Sequence, residues 1–204
     1  MGWYFENDCT TADELAARLD RETTRSGVVK QLATTRTREG GYIIRWSVLE
    51  AAQDLNVGRG DDKLAVGSRW VTCDLMQRDR ETGNWGYKPM DESVGPYYYS
   101  CPLKLIRLAD AAGPARGKCA VEWREKVRAH HGEKAAKKQA DAEWFKVGGT
   151  AYIVNSGPYW NGTRCTINSV RPLRVSANYL DLKITRRQLV GTPPATTTAT
   201  PATT

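Results

Sequence analysis

A charged segment in the second half of the chain restricts the folds that this sequence allows. Residues 119–143 mix acidic and basic side chains over several helical turns, and Trp123 and Val127, one turn apart, form a narrow apolar face. A helix of this kind is solvated on most of its surface and usually connects two folded parts. The segment therefore predicts a connecting helix. It places the Lys134–Lys138 cluster in solvent unless these lysines follow phosphates.

The residues before this helix have the pattern of antiparallel strands. Tyr42–Glu50 and Gly67–Gln77 alternate apolar and polar side chains, as strands with one buried face do. The break Glu39-Gly40-Gly41 follows the β-favouring run Val28–Thr35, which predicts a hairpin. We expect an antiparallel sheet here.

A capping signal near the start of the chain predicts the helix that accompanies this sheet. Thr11 lies three residues before Glu14, so each side chain can bond the other residue's backbone N–H, and the helix is predicted over 11–22. The rings of Trp3, Tyr4 and Phe5 precede it. We expect all three rings in the core of the first domain.

Residues 144–190 contain short strands separated by turns, at the spacing of a small barrel. The strands are predicted at 151–154, 163–170, 173–176, 180–184 and 188–189. The entry Val147-Gly148-Gly149 and the closing Arg186-Arg187-Gln188-Leu189 resemble those of SH3-like barrels in bacterial and translation-associated proteins.

The predicted fold class is α+β. Its parts are an antiparallel-sheet N-terminal domain at 1–113, a bridging charged helix at 114–143, a small SH3-like β-barrel at 144–190 and a tail at 191–204. The tail is predicted to be disordered, because Thr192–Thr204 holds only Thr, Pro and Ala and cannot bury apolar surface.

The stretch Gly83–Leu103 concentrates aromatic residues. It holds five of the chain's 18 rings, and its prolines and glycines predict a structured loop. Burying every ring would require partners for four hydroxyls and one indole N–H, so some rings are expected at a surface. The predicted partner-binding residues are Trp85, Tyr87, Lys88, Asp91, Glu92, Tyr97, Tyr98 and Tyr99.

Two enzyme hypotheses arise from the acidic residues and Cys101. Asp74 and Glu50, if close to Lys88, would hold a divalent cation for phosphodiester chemistry; the alternative is a solvated Asp74 on an open strand face. The second hypothesis uses Asp91, Glu92, Tyr98 and Cys101. No histidine lies near them in sequence to complete such a site, and the alternative for Cys101 is a buried small side chain. No catalytic residue is therefore assigned.

The cysteines and histidines do not have the spacing of a metal site. Cys9, Cys73, Cys101, Cys119 and Cys165 are widely separated, and His130 and His131 are adjacent. This spacing favours free thiols in a reducing compartment, without metal or cofactor. Neither a membrane-spanning apolar run nor a signal peptide is recognised, so a cytoplasmic protein is expected.

Several short strings within residues 1–131 are distinctive. They are MGWYF (1–5), VTCDL (71–75), WGYK (85–88), MDES (90–93), PYYYSCPL (96–103) and EWR (122–124). The set resembles a family of uncharacterised proteins carried by bacteriophages, plasmids and other bacterial mobile elements. The resemblance implies a mobile-element origin and a bacterial cytoplasm, and it transfers no activity.

Positive charge is concentrated in the second half of the chain. Residues 1–113 hold 15 Lys/Arg against 17 Asp/Glu, whereas residues 114–204 hold 15 against 6. A basic barrel attracts polyanions, so we predict a noncatalytic nucleic-acid-binding accessory protein. Its predicted binding residues are Lys146, Tyr159, Trp160, Arg164, Arg171, Arg174, Lys183, Arg186 and Arg187.

Two alternatives to nucleic-acid binding stay open. One is a protein–protein interaction factor, directed at host machinery or acting as a defence inhibitor, that uses the aromatic cluster of Trp85 and Tyr97–Tyr99. The other is a basic surface that only keeps the chain in solution. The sequence does not distinguish DNA from RNA and gives no oligomeric state.

Overall fold

In the part of the chain that the structure describes, two five-stranded antiparallel sheets, one two-stranded sheet and three α-helices make up an α+β structure. The computed structural model describes residues 2–6, 8–56, 63–96, 98–156, 159–178 and 180–194. The chain divides into two units, Met1–Gly132 and Glu133–Thr204, and the boundary falls inside the third helix.

The N-terminal unit is built on the sheet β1-β7-β6-β3-β2. Its elements in chain order are β1 Tyr4–Phe5, α1 Ala12–Arg25, β2 Val29–Glu39, β3 Tyr42–Ala51, β4 Leu55–Asn56, β5 Lys63–Leu64, β6 Arg69–Arg78, β7 Trp85–Asp91, a 3₁₀ turn Glu92–Val94 and α2 Leu103–Asp110. The third helix, α3 Lys118–Trp144, begins in this unit and ends in the C-terminal unit. Among the described residues, the short strands β4 and β5 pair with each other and with no strand of the larger sheet.

The predicted capping box starts α1. The Thr11 hydroxyl accepts from the Glu14 N–H at 3.2 Å, and the Glu14 carboxylate accepts from the Thr11 N–H at 3.0 Å. Leu15 and Leu19, on the same side of the helix, are buried against the sheet. The predicted helix is confirmed, and it continues to Arg25.

The predicted hairpin is also confirmed. Strands β2 and β3 are joined by Gly40 and Gly41, both with positive φ, as a tight turn between twisted strands requires. Strand β6 pairs with the other edge of β3, from Ile43↔Met76 to Glu50↔Arg69.

The prediction that Gly83–Leu103 is a loop throughout is wrong, because Trp85–Asp91 forms strand β7 between β6 and β1. Trp85 directs its N–H to the Cys9 carbonyl and its C=O to the Glu6 N–H, on the β1 side. Backbone groups alternate along a strand, so the nitrogen of Pro89 faces the same side, beyond the two-residue β1. The missing N–H therefore breaks no sheet bond.

Helices cover both faces of this sheet. On one face Ile44, Trp46 and Val48 of β3 lie in the main core with residues of α2 and α3. On the other face Met76 packs with Leu15 and Leu19 of α1. The central strands are consequently buried on both sides.

Sequence analysis did not predict α2, although Leu105, Ile106 and Ala109 have helical spacing and are buried in the main core. The long charged helix is confirmed as α3. Its predicted apolar face is correct: Trp123 and Val127 are buried, and Trp123 stacks on Trp46 at 5.8 Å between centroids.

The C-terminal unit contains a second five-stranded sheet in the order β11-β10-β9-β8-β12. Its strands are β8 Thr150–Ile153, β9 Arg164–Val170, β10 Leu173–Ala177, β11 Leu180–Lys183 and β12 Leu189–Val190, with a 3₁₀ turn Arg186–Gln188 before the last. All five predicted strands are found within one residue of their expected bounds.

The last strand of this sheet returns to the first, since Leu189 of β12 pairs with Ile153 of β8. In the described residues β11 and β12 do not pair with each other, so this sheet is not closed. Residues 195–204 of the predicted disordered tail lie outside the described residues.

Candidate nucleic-acid interface

The sheet of the C-terminal unit has one face in its core and one face outward, because side chains alternate along each strand. Along β9, Cys165 and Ile167 are buried while Arg164, Thr166 and Asn168 are exposed. The alternation of Arg and Thr with buried residues therefore fixes Arg164 on the outward face.

Two further predicted cations lie on the same face. Arg174 of β10 is directly opposite Lys183 of β11, and both are exposed. Residues opposite each other in an antiparallel pair have Cβ atoms about 5 Å apart, and like charges in such a pair destabilise the sheet. The fold thus places two positive charges together at a cost to its own stability.

The single acidic residue of 144–190, Asp181, lies on the same outward face, opposite Ser176 and two residues before Lys183, so it offsets part of this positive charge. Its carboxylate accepts from Ser176 at 2.7 Å and from Asn168 at 2.8 Å. Across the described parts of 133–194, the ion pairs do not include Arg164, Arg174 or Lys183. With three cations and one carboxylate, the outward face keeps an excess of positive charge that can attract an anion.

Arg186, predicted as a phosphate contact, is committed inside its own unit. Its guanidinium lies 4.4 Å from the ring centroid of Trp144 and 4.5 Å from that of Phe145, and it pairs with Asp141 at 2.9 Å. It also donates to the Leu189 carbonyl at 3.1 Å. These contacts connect the end of α3 with the 3₁₀ turn. Arg186 therefore has a structural role, and we call it a clamp because it holds these two segments together.

The other predicted cations of this unit are exposed and lie outside its strands. Lys146 precedes β8, Arg171 lies in the turn between β9 and β10, and Arg187 lies in the 3₁₀ turn.

The two rings predicted to stack on bases have different surroundings. Tyr159, in the connection from β8 to β9, is 91% exposed. Trp160 is half-buried and packs on the core of the C-terminal unit. Only Tyr159 displays its ring to solvent.

The aromatic stretch of the N-terminal unit is divided between the two faces of its sheet. Trp85 and Tyr87 pack beside α1, whereas Tyr98 and Tyr99 pack against the main core. Tyr97 lies outside the described residues. The structure therefore does not gather the described rings of this stretch into one anchor.

The polar residues of that stretch are used internally or half-buried. Glu92 is buried and accepts two bonds from Arg124, at 2.7 and 2.6 Å. Burial raises the pKa of the Glu92 carboxyl, although Arg124 acts to lower it. Asp91 accepts from the Ser93 N–H at 2.8 Å, and Lys88 is half-buried opposite Leu75. Glu92 is thus in the interior, where a partner cannot reach it.

The expectation that Asp74 is solvated is wrong, because α1 covers that face of the sheet. Asp74 is buried and accepts from Arg45 at 2.6 Å, and Asp20 of α1 bonds the same guanidinium. Burial raises the pKa of the Asp74 carboxyl against the effect of Arg45.

The carboxylate pair proposed for a divalent cation is not formed. Glu50 lies opposite Arg69, and Asp74 is five residues further along β6, about 17 Å away at strand spacing. Glu50 bonds Arg69 at 2.8 Å instead.

Cys101 has the surroundings of a structural cysteine. It is fully buried, and burial raises its thiol pKa well above the ordinary value, which removes the thiolate that a nucleophile needs. The ring of His131 contacts the Cys101 carbonyl at 2.9 Å.

Sequence reasoning missed a row of rings that crosses the N-terminal unit. Trp3 stacks on Phe5 and Tyr42, at 6.1 and 5.8 Å, and Tyr42 meets Tyr98 edge-on at 5.9 Å. The expected burial of all three N-terminal rings is wrong, since Tyr4 is 50% and Phe5 41% exposed. The two-residue β1 carries them to the edge of the sheet, and no local signal reveals which distant rings they meet.

No protein-family model, curated protein sequence or solved structure matches this chain. In the part of the chain that the structure describes, no helix is long and apolar enough to cross a membrane.

Proposed function

We propose that the C-terminal unit binds nucleic acid without catalysis, through the outward face of its sheet. The observation that carries this proposal is the excess positive charge of one face, where Arg164, Arg174 and Lys183 outnumber Asp181 and have no ion pair in the described residues. Arg174 opposite Lys183 does not stabilise the sheet, and a polyanion bound across both side chains would offset their repulsion.

The strand order supports the SH3-like barrel as the scaffold of this site. Four strands form a meander, and β12 returns to pair with β8; full closure of a five-stranded barrel would also need β11 and β12 to pair, which they do not do in the described residues. An accessory role in a bacteriophage or other mobile element, in the bacterial cytoplasm, is part of the same proposal and rests on the sequence resemblance alone.

Salt-dependent binding tests the proposal. Each phosphate contact to a single strand contributes about 0.7 to the slope of log affinity against log salt, and about 0.9 for a duplex. Replacing the three sheet-face cations should therefore make the slope shallower by about 2 to 3. Fluorescence anisotropy with labelled DNA and RNA oligonucleotides measures the affinity at each salt concentration, and these affinities give the slope. The test variant is Arg164→Gln/Arg174→Gln/Lys183→Gln.

A matched control separates the site from net charge. Exposed arginines of the N-terminal unit provide the same loss of charge elsewhere on the chain, in the variant Arg21→Gln/Arg25→Gln/Arg38→Gln. We expect the control to bind nearly as wild type does. The proposal would be refuted if both variants lost the same amount of nucleic-acid affinity, or if the wild type bound no nucleic acid at low salt.

A protein partner is the second candidate, and the row of rings around Trp3 favours it. Half-exposed aromatic rings are typical anchors of protein interfaces, and Tyr4 and Phe5 stand at the open edge of the sheet. Such an interface resists salt, because apolar contacts are not screened.

Retention of a bacterial protein at high salt tests this second candidate. The variant Tyr4→Ser/Phe5→Ser should lose a defined partner that the wild type retains, while its nucleic-acid affinity stays unchanged. Retention by both proteins would exclude this surface.

A further inference from the structure

One end of the outward face combines rings with a cation. Tyr152 of β8 is directly opposite Arg164 of β9 and Val190 of β12. Its neighbours Ala151 and Ile153 are buried in the core, so the half-buried Tyr152 ring lies on the outward side.

The connection from β8 to β9 adds a second ring at the same end. Its base is fixed by backbone bonds, from Gly162 N–H to the Ile153 carbonyl at 2.7 Å and from Thr163 N–H to the Trp160 carbonyl at 3.0 Å. Trp160 packs inward on the core. Tyr159, directly before Trp160, is 91% exposed, so its ring is not packed on the unit.

The cations extend from this end along the sheet. Arg174 is opposite Ser169, which is five residues from Arg164 on β9, so the two charged positions are about 17 Å apart. That distance spans about five nucleotides at a stacked spacing of about 3.4 Å.

We infer that the partner is single-stranded rather than duplex nucleic acid, with bases stacking on Tyr159 and Tyr152 and phosphates following Arg164 toward Arg174 and Lys183. A ring can stack on a base only where the base face is open, and a duplex hides those faces. Duplex binding would need the cations alone and gives no role to an unpacked tyrosine. This inference rests on the proposed function.

Competition between oligonucleotide forms tests the inference. The wild type should bind a labelled single strand of about 12 nucleotides, as DNA or RNA, more tightly than the matching duplex. Tyr159→Ala should weaken single-strand binding roughly 5- to 150-fold and leave duplex binding and the salt slope unchanged. Since the side chain is unpacked, this variant should unfold at the wild-type temperature.

Two further variants sharpen the test. Tyr159→Phe keeps the ring and should bind as wild type does, whereas Tyr152→Thr keeps a strand-forming residue and should weaken single-strand binding.

The outcomes separate this inference from the proposed function. If the triple cation variant loses affinity while Tyr159→Ala binds single strands normally, or if the duplex binds more tightly, the inference is wrong and the proposed function stands. If the wild type binds no oligonucleotide at low salt, both are wrong.

Discussion

The neighbouring arginines Arg186 and Arg187 should respond in opposite ways to the same substitution. Both lie in the 3₁₀ turn before β12, and the sequence alone assigns phosphate contact to both. In the structure the Arg186 guanidinium is held between Trp144 and Phe145, whereas Arg187 is exposed. Replacing each by glutamine therefore distinguishes a clamp from a contact.

The loss of stability follows from the contacts of Arg186. Partly exposed cation–π contacts stabilise by about 1 kcal/mol each. Its ion pair with Asp141 joins side chains that are 39% and 40% exposed, so solvent screening limits the contribution of this pair to stability to less than about 1 kcal/mol. Arg186→Gln should therefore destabilise the C-terminal unit by about 2 to 3 kcal/mol. Arg187→Gln should change stability by less than about 0.5 kcal/mol.

The binding effect should be the reverse. Arg187→Gln should make the salt slope for a single strand shallower by about 0.7. Arg186→Gln should leave that slope unchanged under conditions in which the C-terminal unit remains folded. With about six phosphate contacts, the wild-type slope would be about −4, a loss of about 300-fold between 50 and 200 mM salt.

Urea unfolding followed by circular dichroism, together with salt titration of anisotropy, measures both quantities on the same samples. A shallower salt slope with unchanged stability for Arg186→Gln would refute the clamp and return Arg186 to the binding surface.

Three predictions concern the N-terminal unit. Arg124→Met should cost about 3 to 5 kcal/mol in urea unfolding, because it leaves the buried Glu92 carboxylate without its cation; a cost under about 1 kcal/mol would contradict this. Burial raises the pKa of Glu92 in the folded state, so that state holds its proton more tightly than the unfolded chain does. The unfolding free energy of the wild type, relative to that of Glu92→Gln, should consequently fall as pH rises from the ordinary glutamate range through the raised pKa. If this relative stability instead rises with pH, Arg124 outweighs burial and the prediction is wrong. A methyl group at Gly86 would lie 2.3 Å from Cδ1 of Phe5 and 2.7 Å from the Tyr4 carbonyl oxygen. Gly86→Ala should therefore displace both the Phe5 ring and the backbone of β1, lower stability by roughly 1 to 3 kcal/mol and alter the fluorescence of Trp3, which stacks on Phe5; unchanged melting and fluorescence would refute this prediction.

Charged residues illustrate why the candidate sites were only partly predictable. Arg45 and Arg124 have the same local character as solvated arginines, yet both are buried in carboxylate pairs that join distant segments. Arg186 likewise becomes a clamp only through residues of α3. Sequence patterns indicate on which face of its own helix or strand a side chain lies. The residue that it contacts depends on how that element packs against the others.

Short-range patterns in the sequence determined the α1 cap, the Gly40-Gly41 hairpin, the long helix and the five strands of the C-terminal unit. Each depends on interactions within a few residues, such as side-chain capping, positive φ at glycine or alternation along a strand. Only the tertiary structure decided that Pro89 fits inside a sheet, that Asp74 is buried, and that Arg174 meets Lys183. These outcomes depend on strand register and on which faces of the sheet the helices cover. Both are determined by the free energy of packing between distant segments, which a local sequence pattern does not contain.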